Sequence, residues 1–517
     1  MSNTTSTPRA PGILGTIERV CDRLPPPGVI FFVLFVVTAV ASAILSGLGV
    51  ALVNPATDEL VTVQNFFSAD GINWLLLSMV ENFSTFYPLG MVLVLTMAVG
   101  LCDEAGLFSA AIRSALRNTP SVIVPLVVAF VGCNGNIASD CCNIVLMPLA
   151  AAVYYSVGKH PVVGMLVAYA GCEAGFACNL MLSASDSIAT GLTNTAIQIF
   201  LPGSDFTIDM SCNYYFTFTS TFLVALTIAL VSDKIVAKQF GTYVRPSGLP
   251  VIEKQELTAL ERKGMRNTGI SLVVYIALVV AGYFLVPLAK VNEDGSLSFI
   301  GSPLLDGIIA IMFAAFFVMG VTYGVTVGKF RRMTDIENAI SKQMSLMGSY
   351  LVFCFFCGQF NALFSWTNIG TIIAISGADF IQSVGLTGLP LIALFMLIVA
   401  LTNFFMPSAS AKWAILGPVF VPMLMMLNYH PAMIQMIYRL ADSPFNIITP
   451  MNPYVWMLLS IAQRDYDPNL KIGKIFAGLL PISLILAAVW FVFFLIWTAL
   501  QIPLGPGAAY TMPAGVL

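Results

Sequence analysis

The chain has 517 residues, of which 58% are hydrophobic and only 9% are charged. Soluble domains contain roughly 45–50% apolar and about 25% charged residues, so this composition excludes a soluble globular fold. The formal net charge of −3, from 23 basic and 26 acidic residues, provides no basic surface for nucleic acid. The composition therefore indicates a multi-pass integral membrane protein.

Apolar stretches recur along most of the chain after a polar N-terminal segment, residues 1–27. That segment has no short apolar core followed by a small-residue cleavage site, so a cleaved signal peptide is not expected. A spanning helix needs about 20 mostly apolar residues to cross about 30 Å of hydrocarbon. Seven uninterrupted stretches are predicted to form such helices: 28–46, 88–99, 214–231, 270–287, 305–325, 351–364 and 476–500.

Lysine and arginine concentrate in two segments, 234–266 and 329–332. Because basic loops are retained on the cytoplasmic side, both segments are predicted to lie inside the cell. The acidic loops at 58–70 and 205–209 have no basic residue and are assigned outside. Alternation from a cytoplasmic N-terminus then gives about nine crossings of the bacterial inner membrane, provided that two further apolar stretches enter and leave on the same face.

Those two stretches, 120–160 and 390–430, are each interrupted by small and polar residues. The first interruption includes Asn134 and Asn136, and the second includes Asn403 and Ser410. An unpaired peptide group in hydrocarbon costs several kcal/mol, so irregular backbone at this depth must be buried in protein or line a cavity. We interpret each stretch as a re-entrant helical hairpin.

Each hairpin is followed by an apolar helix that carries its own interruption. The first interruption, at 177–186, is polar and includes Asn179. The second, at 442–453, contains Pro444, Pro450 and Pro453. Proline removes a backbone donor and ends a helix, so unwinding is expected there.

The order of hairpin and broken helix recurs at an offset of 270 residues, which aligns Pro120 with Pro390, Pro148 with Pro418, His160-Pro161 with His430-Pro431, and Met181 with Met451. We expect residues 28–237 and 267–501 to be inverted structural repeats, joined by a cytoplasmic linker, 238–266, and followed by a tail, 502–517. Inverted repeats with broken helices near the midplane are typical of secondary transporters, which bind substrate and ions there. The alternative is chance matching of prolines in a low-complexity apolar sequence.

Ionisable residues inside the predicted membrane segments are also informative, because a charge at the centre of a spanning helix costs about 2.5–3.5 kcal/mol on insertion scales. The six candidates are Asp140, Glu173, Asp186, Lys412, Arg439 and Asp442. Arg439 and Asp442 lie three apart and either form a local ion pair or serve transport, with Arg439 binding a substrate carboxylate and Asp442 exchanging a proton. Asp186 is a candidate proton carrier or cation ligand, or else a helix N-cap.

Lys412 either snorkels to the interface or contributes to a pore, and Trp413 either stacks on an aromatic substrate or packs in the protein. Five asparagines place amide carbonyls at the hairpin tips and helix breaks: Asn134, Asn136, Asn179, Asn403 and Asn446. With freed backbone carbonyls they are candidates for a sodium site, unless the amides only satisfy local backbone. The ten cysteines lie mostly in apolar stretches, and neither a disulfide nor a cysteine-held metal is expected.

The chain contains no glycine-rich phosphate loop with Lys-Ser/Thr, no HExxH and no GxSxG. Neither ATP-driven transport nor a common hydrolase is supported, and no cofactor and no enzymatic activity are predicted. Three other interpretations stay open. They are a sodium-coupled dicarboxylate carrier, an ion channel, and an intramembrane enzyme that uses Asp186 and Asp442 as a carboxylate pair.

The run from Asn403 to Trp413, NFFMPSASAKW, with His430-Pro431, Arg439, Asp442 and Pro450 after it, resembles the p-aminobenzoyl-glutamate transporter (AbgT) family, and the layout is similar over nearly the whole chain. The resemblance implies an all-helical homodimer with about nine spanning helices and two re-entrant hairpins per subunit. It also implies ion-driven transport of p-aminobenzoyl-glutamate or p-aminobenzoate-like anions, including export of sulfonamides, coupled to H⁺ or Na⁺. The pathway positions that it implies are Asp186, Asn403, Ser410, Trp413, Pro431, Arg439, Asp442 and Pro450.

Overall fold

Helices make up most of the fold, which we describe from a computed structural model. The structure describes residues 27–53, 60–116, 119–135, 141–244, 246, 257–285, 288–291, 297–298, 302–403, 406, 408–450 and 452–513. Within these residues the strands form two short antiparallel pairs, β1 (Ala51–Val53) with β2 (Leu60–Thr62) and β3 (Lys290–Val291) with β4 (Leu297–Ser298).

Ten helices are described up to the start of the basic linker. They are α1 (Pro27–Gly47), α2 (Ala69–Ser84), α3 (Tyr87–Ala105), α4 (Leu107–Leu116), α5 (Val124–Cys133), α6 (Cys141–Ser156), α7 (Pro161–Ala174), α8 (Ala184–Phe200), α9 (Tyr214–Val231) and α10 (Ala237–Phe240), with a π-helical turn, Ser232–Val236, between the last two.

Eleven described helices follow. They are α11 (Ala259–Leu285), α12 (Pro303–Asp306), α13 (Ile308–Thr326), α14 (Met333–Ser345), α15 (Gly348–Trp366), α16 (Ile369–Ser383), α17 (Leu389–Thr402), α18 (Ala409–Met426), α19 (Pro431–Asn446), α20 (Pro453–Asp465) and α21 (Ile472–Ala499).

Eight helical stretches in the described part of the chain are long and apolar enough to cross a membrane. They are Gly28–Gly47, Ala69–Ala105, Tyr214–Phe240, Ala259–Leu285, Ile308–Thr326, Gly348–Trp366, Ala409–Met426 and Ile472–Ala499. The seven predicted spans fall in α1, α3, α9, α11, α13, α15 and α21. The predicted all-helical membrane fold is confirmed, whereas the number of crossings and the sidedness stay predictions.

Helix interruptions occur at the four predicted places. We call α5 and α6 hairpin 1, and α17 and α18 hairpin 2. Within the hairpins the breaks follow Cys133 and Thr402, and beyond them α7 is separated from α8 and α19 from α20. Asn136 and Asp140 lie outside the described residues. Whether the hairpins re-enter the same face of a membrane stays a prediction.

The second broken helix unwinds later than its prolines predicted. α19 continues through Pro444 to Asn446 before the chain turns into α20. The carbonyl of Pro444, in this last turn, accepts a hydrogen bond from Ser483 Oγ at 2.8 Å. This side chain satisfies one of the backbone acceptors that a helix end leaves open.

The two His-Pro dipeptides begin α7 and α19. Pro161 and Pro431 occupy the first helical position, where a missing N–H removes no intrahelical hydrogen bond. His160 and His430 are the preceding N-cap residues. Both histidines therefore lie in the turns that lead into these helices.

Hairpin 1 is seated closely against α7, because glycines meet between them. A Cβ atom on Gly132 of α5 would lie 2.9 Å from the Cα atom of Gly171, and one on Gly171 would lie 2.8 Å from the carbonyl oxygen of Ala129. Small residues at a helix interface allow this approach of two backbones, which is common in membrane proteins. Hairpin 2 contacts α8, α16 and α19.

Contacts between the two halves of the chain agree with the offset of 270 residues found in the sequence. Trp490 donates its indole N–H to Ser220 Oγ at 2.9 Å across that separation. Tyr169 Oη lies 3.4 Å from the carbonyl oxygen of Asn446, and the residue 270 positions after Tyr169, Arg439, donates from Nε to the carbonyl of Phe176 at 3.0 Å. Such reciprocal contacts are expected where an approximate two-fold axis relates two halves. The inverted insertion of the halves stays a prediction.

Candidate functional site

Two ion pairs connect α19 to its neighbours, one to α8 and one to α18 of hairpin 2. Arg439 Nη1 lies 2.7 Å from Asp186 Oδ1, joining α19 to α8, and Lys412 of α18 forms an ion pair with Asp442 of α19. The four side chains are no more than 3% exposed. A lone buried charge is strongly destabilising, so mutual pairing accounts for four charges at this depth. The local Arg439–Asp442 pair and the snorkelling of Lys412, both considered from the sequence, are wrong for this structure.

Asp186 and Arg439 also hold the backbone on the two sides of the first helix break. Asp186 Oδ2 accepts hydrogen bonds from the Ser183 backbone N–H at 2.7 Å and from Ser183 Oγ at 2.8 Å, at the start of α8. Arg439 donates to the carbonyl of Phe176, just beyond the end of α7. The N-cap of α8 is therefore Ser183 and not Asp186, which is the third residue of the helix and bonds back to Ser183. Whether Asp186 carries a proton or binds a cation stays a prediction.

Asparagines surround the second ion pair. Asn446 donates from Nδ2 to Asp442 Oδ2 at 3.0 Å and accepts at Oδ1 from Lys412 Nζ at 3.3 Å. Asn403, at the tip of hairpin 2, donates to the carbonyl of Asp442 at 3.0 Å. Its own Oδ1 is buried and has no hydrogen-bond partner in the described part of the chain. Asn403 thus binds the backbone of Asp442 through its amide nitrogen and keeps its side-chain oxygen, Oδ1, without a hydrogen-bond donor among the described residues.

Trp413, next to Lys412, is covered by protein. Its ring stacks on Tyr438 with centroids 4.4 Å apart and planes at 21°, and the side chain is fully buried. The indole N–H donates to Thr193 Oγ1 at 2.9 Å. One face of the ring is therefore occupied by Tyr438, and stacking on a substrate stays a proposal.

The other positions implied by the family resemblance lie around this cluster. Ser410 Oγ is 3.3 Å from Ser408 Oγ at the start of α18. Pro450 lies in the second helix break and accepts a hydrogen bond at its carbonyl from Trp456 Nε1 at 2.9 Å. Pro431 lies eight positions before Arg439 on α19, about 12 Å away along the helix axis. Direct contacts thus link Asp186 to Arg439 and Asn403 to Asp442, whereas Pro431 lies at the far end of α19 from these contacts.

The remaining sodium candidates behave differently from one another. Asn134 satisfies backbone at both ends of its amide, accepting from the Leu180 N–H at 2.9 Å and donating to the Phe130 carbonyl at 2.8 Å. Asn179 is fully buried, and both its amide atoms are without a partner among the described residues. In the same residues no group of three or more His, Cys, Asp or Glu side chains could hold a metal ion. Asn179 and Asn403 therefore keep an uncommitted amide oxygen.

A cavity of about 500 Å³ lies where the hairpin tips and helix breaks meet, and we call it the central cavity. Hairpin 1 contributes Gly135, Cys142 and Asn143, and hairpin 2 contributes Ser408 and Ala409. The other walls come from α3, the two helix breaks and their adjoining turns, and the start of α15: Val92, Thr96, Val99, Cys172, Glu173, Phe176, Ala184, Ser185, Ile188, Met347, Tyr350, Asn446, Asn452, Pro453 and Tyr454.

The polar residues of this wall that the sequence did not assign to the site include Glu173 and Asn143. Glu173 was recognised only as a charge at depth, and Asn143 was not singled out. Each is a polar side chain in an otherwise mostly apolar helix, which is the signal that could have found it. Asn143 Nδ2 donates to Glu173 Oε1 at 3.4 Å. The two residues thus bring hairpin 1 and α7 together on the cavity wall.

Three helices begin at the central cavity. The wall includes Ala184 and Ser185 of α8, Ala409 of α18 and Pro453 of α20, each within the first two residues of its helix. The N-terminus of a helix carries roughly half a positive charge and has backbone N–H groups with no intrahelical acceptor. The arrangement therefore provides a positive potential that suits a carboxylate or another anion.

Comparison with known proteins agrees with this geometry. The sequence model of the AbgT transporter family matches residues 12–512. The p-aminobenzoyl-glutamate transport protein of Escherichia coli K12 is 32% identical over 508 residues, which cover 98% of both chains.

Two solved transporter structures have the same fold. The YdaH transporter of Alcanivorax borkumensis superposes with a TM-score of 0.87 at 33% identity, covering 93% of this chain and all of that one. MtrF of Neisseria gonorrhoeae, described as illuminating a class of antimetabolite efflux pumps, has the same TM-score at 37% identity, covering 95% of this chain and 99% of its own. The protein belongs to the AbgT transporter family.

Proposed function

We propose that this chain is a secondary active transporter of p-aminobenzoyl-glutamate, p-aminobenzoate and related aromatic carboxylates. The Escherichia coli relative is a p-aminobenzoyl-glutamate transport protein, and MtrF is placed among antimetabolite efflux pumps, so sulfonamide export belongs to the same proposal. The observation that carries it is the convergence of three helix N-termini on one cavity of about 500 Å³. Cavities of about 300–1,000 Å³ accommodate small organic ligands.

The central cavity offers complementary groups for an aromatic anion. First-turn N–H groups of α8 and α18 would bind a carboxylate. The start of α20 adds positive potential only, because Pro453 has no N–H and the Tyr454 N–H is bonded to Asn452 Oδ1. The half-buried ring of Phe176 gives apolar surface for an aromatic group. Arg439 lies directly behind this wall, 5.2 Å from the centroid of the Phe176 ring. In our proposal Arg439 and Trp413 contact substrate only after the ion pair and the stacked ring rearrange during transport.

The ion pairs suggest how transport is coupled to a gradient. A proton on Asp186 would compete with Arg439 for that carboxylate, and a proton on Asp442 would compete with Lys412. A sodium ion bound by Asp442 and the side-chain oxygen of Asn403 would also compete with Lys412. Such competition changes the contact that holds α8 or α18 to α19. Moving one charge through the membrane potential is worth about 2.3 kcal/mol per 100 mV, which is enough to drive accumulation.

Transport into proteoliposomes tests the proposal. We expect radiolabelled p-aminobenzoate or p-aminobenzoyl-glutamate to move when a pH or a sodium gradient is imposed separately, and to stop when that gradient is collapsed. Replacing Arg439 or Trp413 by Ala is expected to weaken substrate binding, with Lys342→Ala at an exposed ion pair as the control. Failure of both compounds to move under any gradient would show that the substrate assignment is wrong.

A sodium-coupled dicarboxylate carrier is the second candidate, because three helix N-termini also suit a ligand with two carboxylates. Succinate distinguishes the two functions in the same vesicles. Sodium-dependent uptake of succinate, without competition by p-aminobenzoate, would favour the second candidate. Current without saturation, or a chemical product formed in detergent, would instead favour a channel or an enzyme.

The assembly we propose is a homodimer in the bacterial inner membrane with cytoplasmic N-termini. The apolar side chains of α11 form a surface that the single chain leaves uncovered, since Val273, Leu278 and Phe284 are more than 60% exposed. Lipid or a partner subunit must cover such a face in a membrane. Native mass spectrometry of the detergent-solubilised protein measures the subunit number, and a monomer would contradict this part of the proposal.

A further inference from the structure

We propose that Glu173, contacted by Asn143, binds the amino end of the substrate and thereby selects 4-aminophenyl carboxylates over aromatic carboxylates without a donor at that position. This inference rests on the proposed function. It assigns one end of the ligand to a residue of the central cavity and leaves the carboxylate to the helix N-termini.

Among the described residues, the wall of the central cavity carries one ionisable side chain that is negatively charged, Glu173. Asp186, Arg439, Lys412 and Asp442 form ion pairs behind the wall, and none of the four lines the central cavity. Glu173 does line it and is half-buried, so it is the one Asp, Glu, Lys or Arg side chain on the described part of the wall. An anionic ligand that enters this cavity therefore meets a carboxylate as well as the positive helix ends.

The position of Glu173 at the end of its helix adds to the negative potential in this part of the cavity. It lies in the last turn of α7, which ends at Ala174, and the C-terminus of a helix carries a partial negative charge. The starts of α8, α18 and α20 carry the opposite charge and open on the same cavity. The cavity thus has an anion-binding part and a part that favours hydrogen-bond donors.

Chemical complementarity then limits the ligand class. A p-amino group on an aromatic ring is neutral near pH 7 and has two N–H donors, while a carboxylate accepts through about four lone-pair positions. Asn143 Nδ2 is one donor that already contacts this carboxylate, which lines the cavity. A ligand with a carboxylate at one end and an arylamine at the other satisfies both parts of the cavity. Benzoate has the same carboxylate but no amino group, so it would bring a second negative charge near Glu173 without donating a hydrogen bond to it.

Competition by a matched pair of compounds tests this assignment. In 4-methylbenzoate a methyl group replaces the amino group of p-aminobenzoate at nearly the same size. We expect p-aminobenzoate to inhibit uptake of labelled substrate at about tenfold lower concentration than 4-methylbenzoate, as one charge-assisted hydrogen bond predicts. In Glu173→Met the ratio should fall to about one, mainly because p-aminobenzoate binds more weakly.

A control variant, two replacement variants and two contradicting outcomes complete this experiment. Glu104→Gln removes an exposed carboxylate outside the cavity and should keep the tenfold ratio. If Glu173→Met fails to fold, Glu173→Gln and Asn143→Leu are measured by ligand-induced thermal shift, and at least one must lower the preference. An unchanged ratio in a folded Glu173 variant would overturn the inference. An equal loss for both compounds, with a changed dependence on the pH gradient, would overturn it in favour of a proton-carrying Glu173.

The wild-type protein separates this inference from the proposed function. If it transports neither p-aminobenzoate nor p-aminobenzoyl-glutamate, the proposed function fails. If it transports p-aminobenzoate and binds 4-methylbenzoate equally well, only the role of Glu173 fails.

Discussion

Arg439 and Asp186 form a buried ion pair, with 2.7 Å between Nη1 and Oδ1, that closes both sides of a helix break. The guanidinium donates to the Phe176 carbonyl after α7, and the carboxylate accepts from the Ser183 N–H before α8. The Phe176 carbonyl is thereby satisfied by a residue of the other half of the chain, and the Ser183 N–H by the carboxylate that pairs with that residue. A change in this pair would alter both helix ends together.

Asp186→Asn tests how strongly the protein depends on that pair. The substitution leaves Arg439 buried without its counter-charge, and removal of one partner of a buried pair costs about 3–5 kcal/mol. We expect a clear fall in the apparent melting temperature in detergent, and partial recovery in the double variant Asp186→Asn/Arg439→Gln, which removes both charges. Asp465→Asn, at the exposed Arg464–Asp465 pair, should change stability by no more than about 1 kcal/mol. Equal effects of the two single variants would contradict a structural role for the buried pair.

Lys412→Met tests whether a cation can replace the lysine beside Asp442. The variant leaves a buried carboxylate close to Asn403, whose carbonyl oxygen has no partner among the described residues. Because a ligand stabilises the state that binds it, by about 2.7 kcal/mol at 100 times its Kd, sodium should raise the melting temperature of this variant more than that of the wild type.

Choline chloride at the same concentration controls for ionic strength in that experiment. Lys342→Met, which removes the lysine of the exposed pair with Glu104, serves as the matched variant. A sodium response that is the same in Lys412→Met, Lys342→Met and the wild type would argue against a cation site at Asp442.

Much of the fold could be predicted from local chemistry. Long apolar runs identified seven of the eight described stretches that could cross a membrane, all but Ala409–Met426. Polar or proline-containing interruptions identified the four helix breaks, because backbone groups cannot remain unpaired in hydrocarbon. The His-Pro dipeptides carry a similarly local signal, since proline fits the first helical position and both dipeptides precede helices, α7 and α19.

The partners of the charged residues could not be predicted in this way. Helical spacing identifies neighbours three or four residues apart, which led to a local Arg439–Asp442 pair. The actual partners, Asp186 and Lys412, lie on other helices, and only tertiary packing brings them near. Asn134 shows the same limit, because its amide is bound to the backbone of Phe130 and Leu180. Which polar side chains face a shared cavity likewise depends on helix packing, and Glu173 was assigned to the site only from the structure.

Gly132→Ala tests the contact between hairpin 1 and α7. The added Cβ would lie 2.9 Å from the Gly171 Cα and 3.0 Å from the Ala168 carbonyl oxygen, so the helices must separate. Overpacking of this kind typically costs about 1–3 kcal/mol. We expect a lower melting temperature and slower transport, since hairpin 1 also lines the central cavity. Gly90→Ala in α3, where a Cβ meets nothing within 4 Å, should leave stability unchanged or slightly higher. Equal stability of the two variants would contradict the close glycine contact.

His430 should make stability depend on pH. It lies in the turn between α18 and α19, outside the eight candidate spans, where burial lowers its pKa to about 4 and Nδ1 accepts a hydrogen bond from the Ala432 N–H at 3.2 Å.

An unfolded histidine has a pKa of about 6.5, so between about pH 6.5 and 4 the unfolded chain binds more protons than the folded protein, and stability falls as the pH falls. His430→Asn keeps an N-cap acceptor that does not titrate. Its melting temperature should therefore decline less than that of the wild type between pH 7.5 and 4.5. His160, whose pKa is also lowered to about 4, mainly by burial and further by Lys474, should preserve part of the slope. Identical slopes in the two proteins would mean that protonation of His430 is not linked to unfolding.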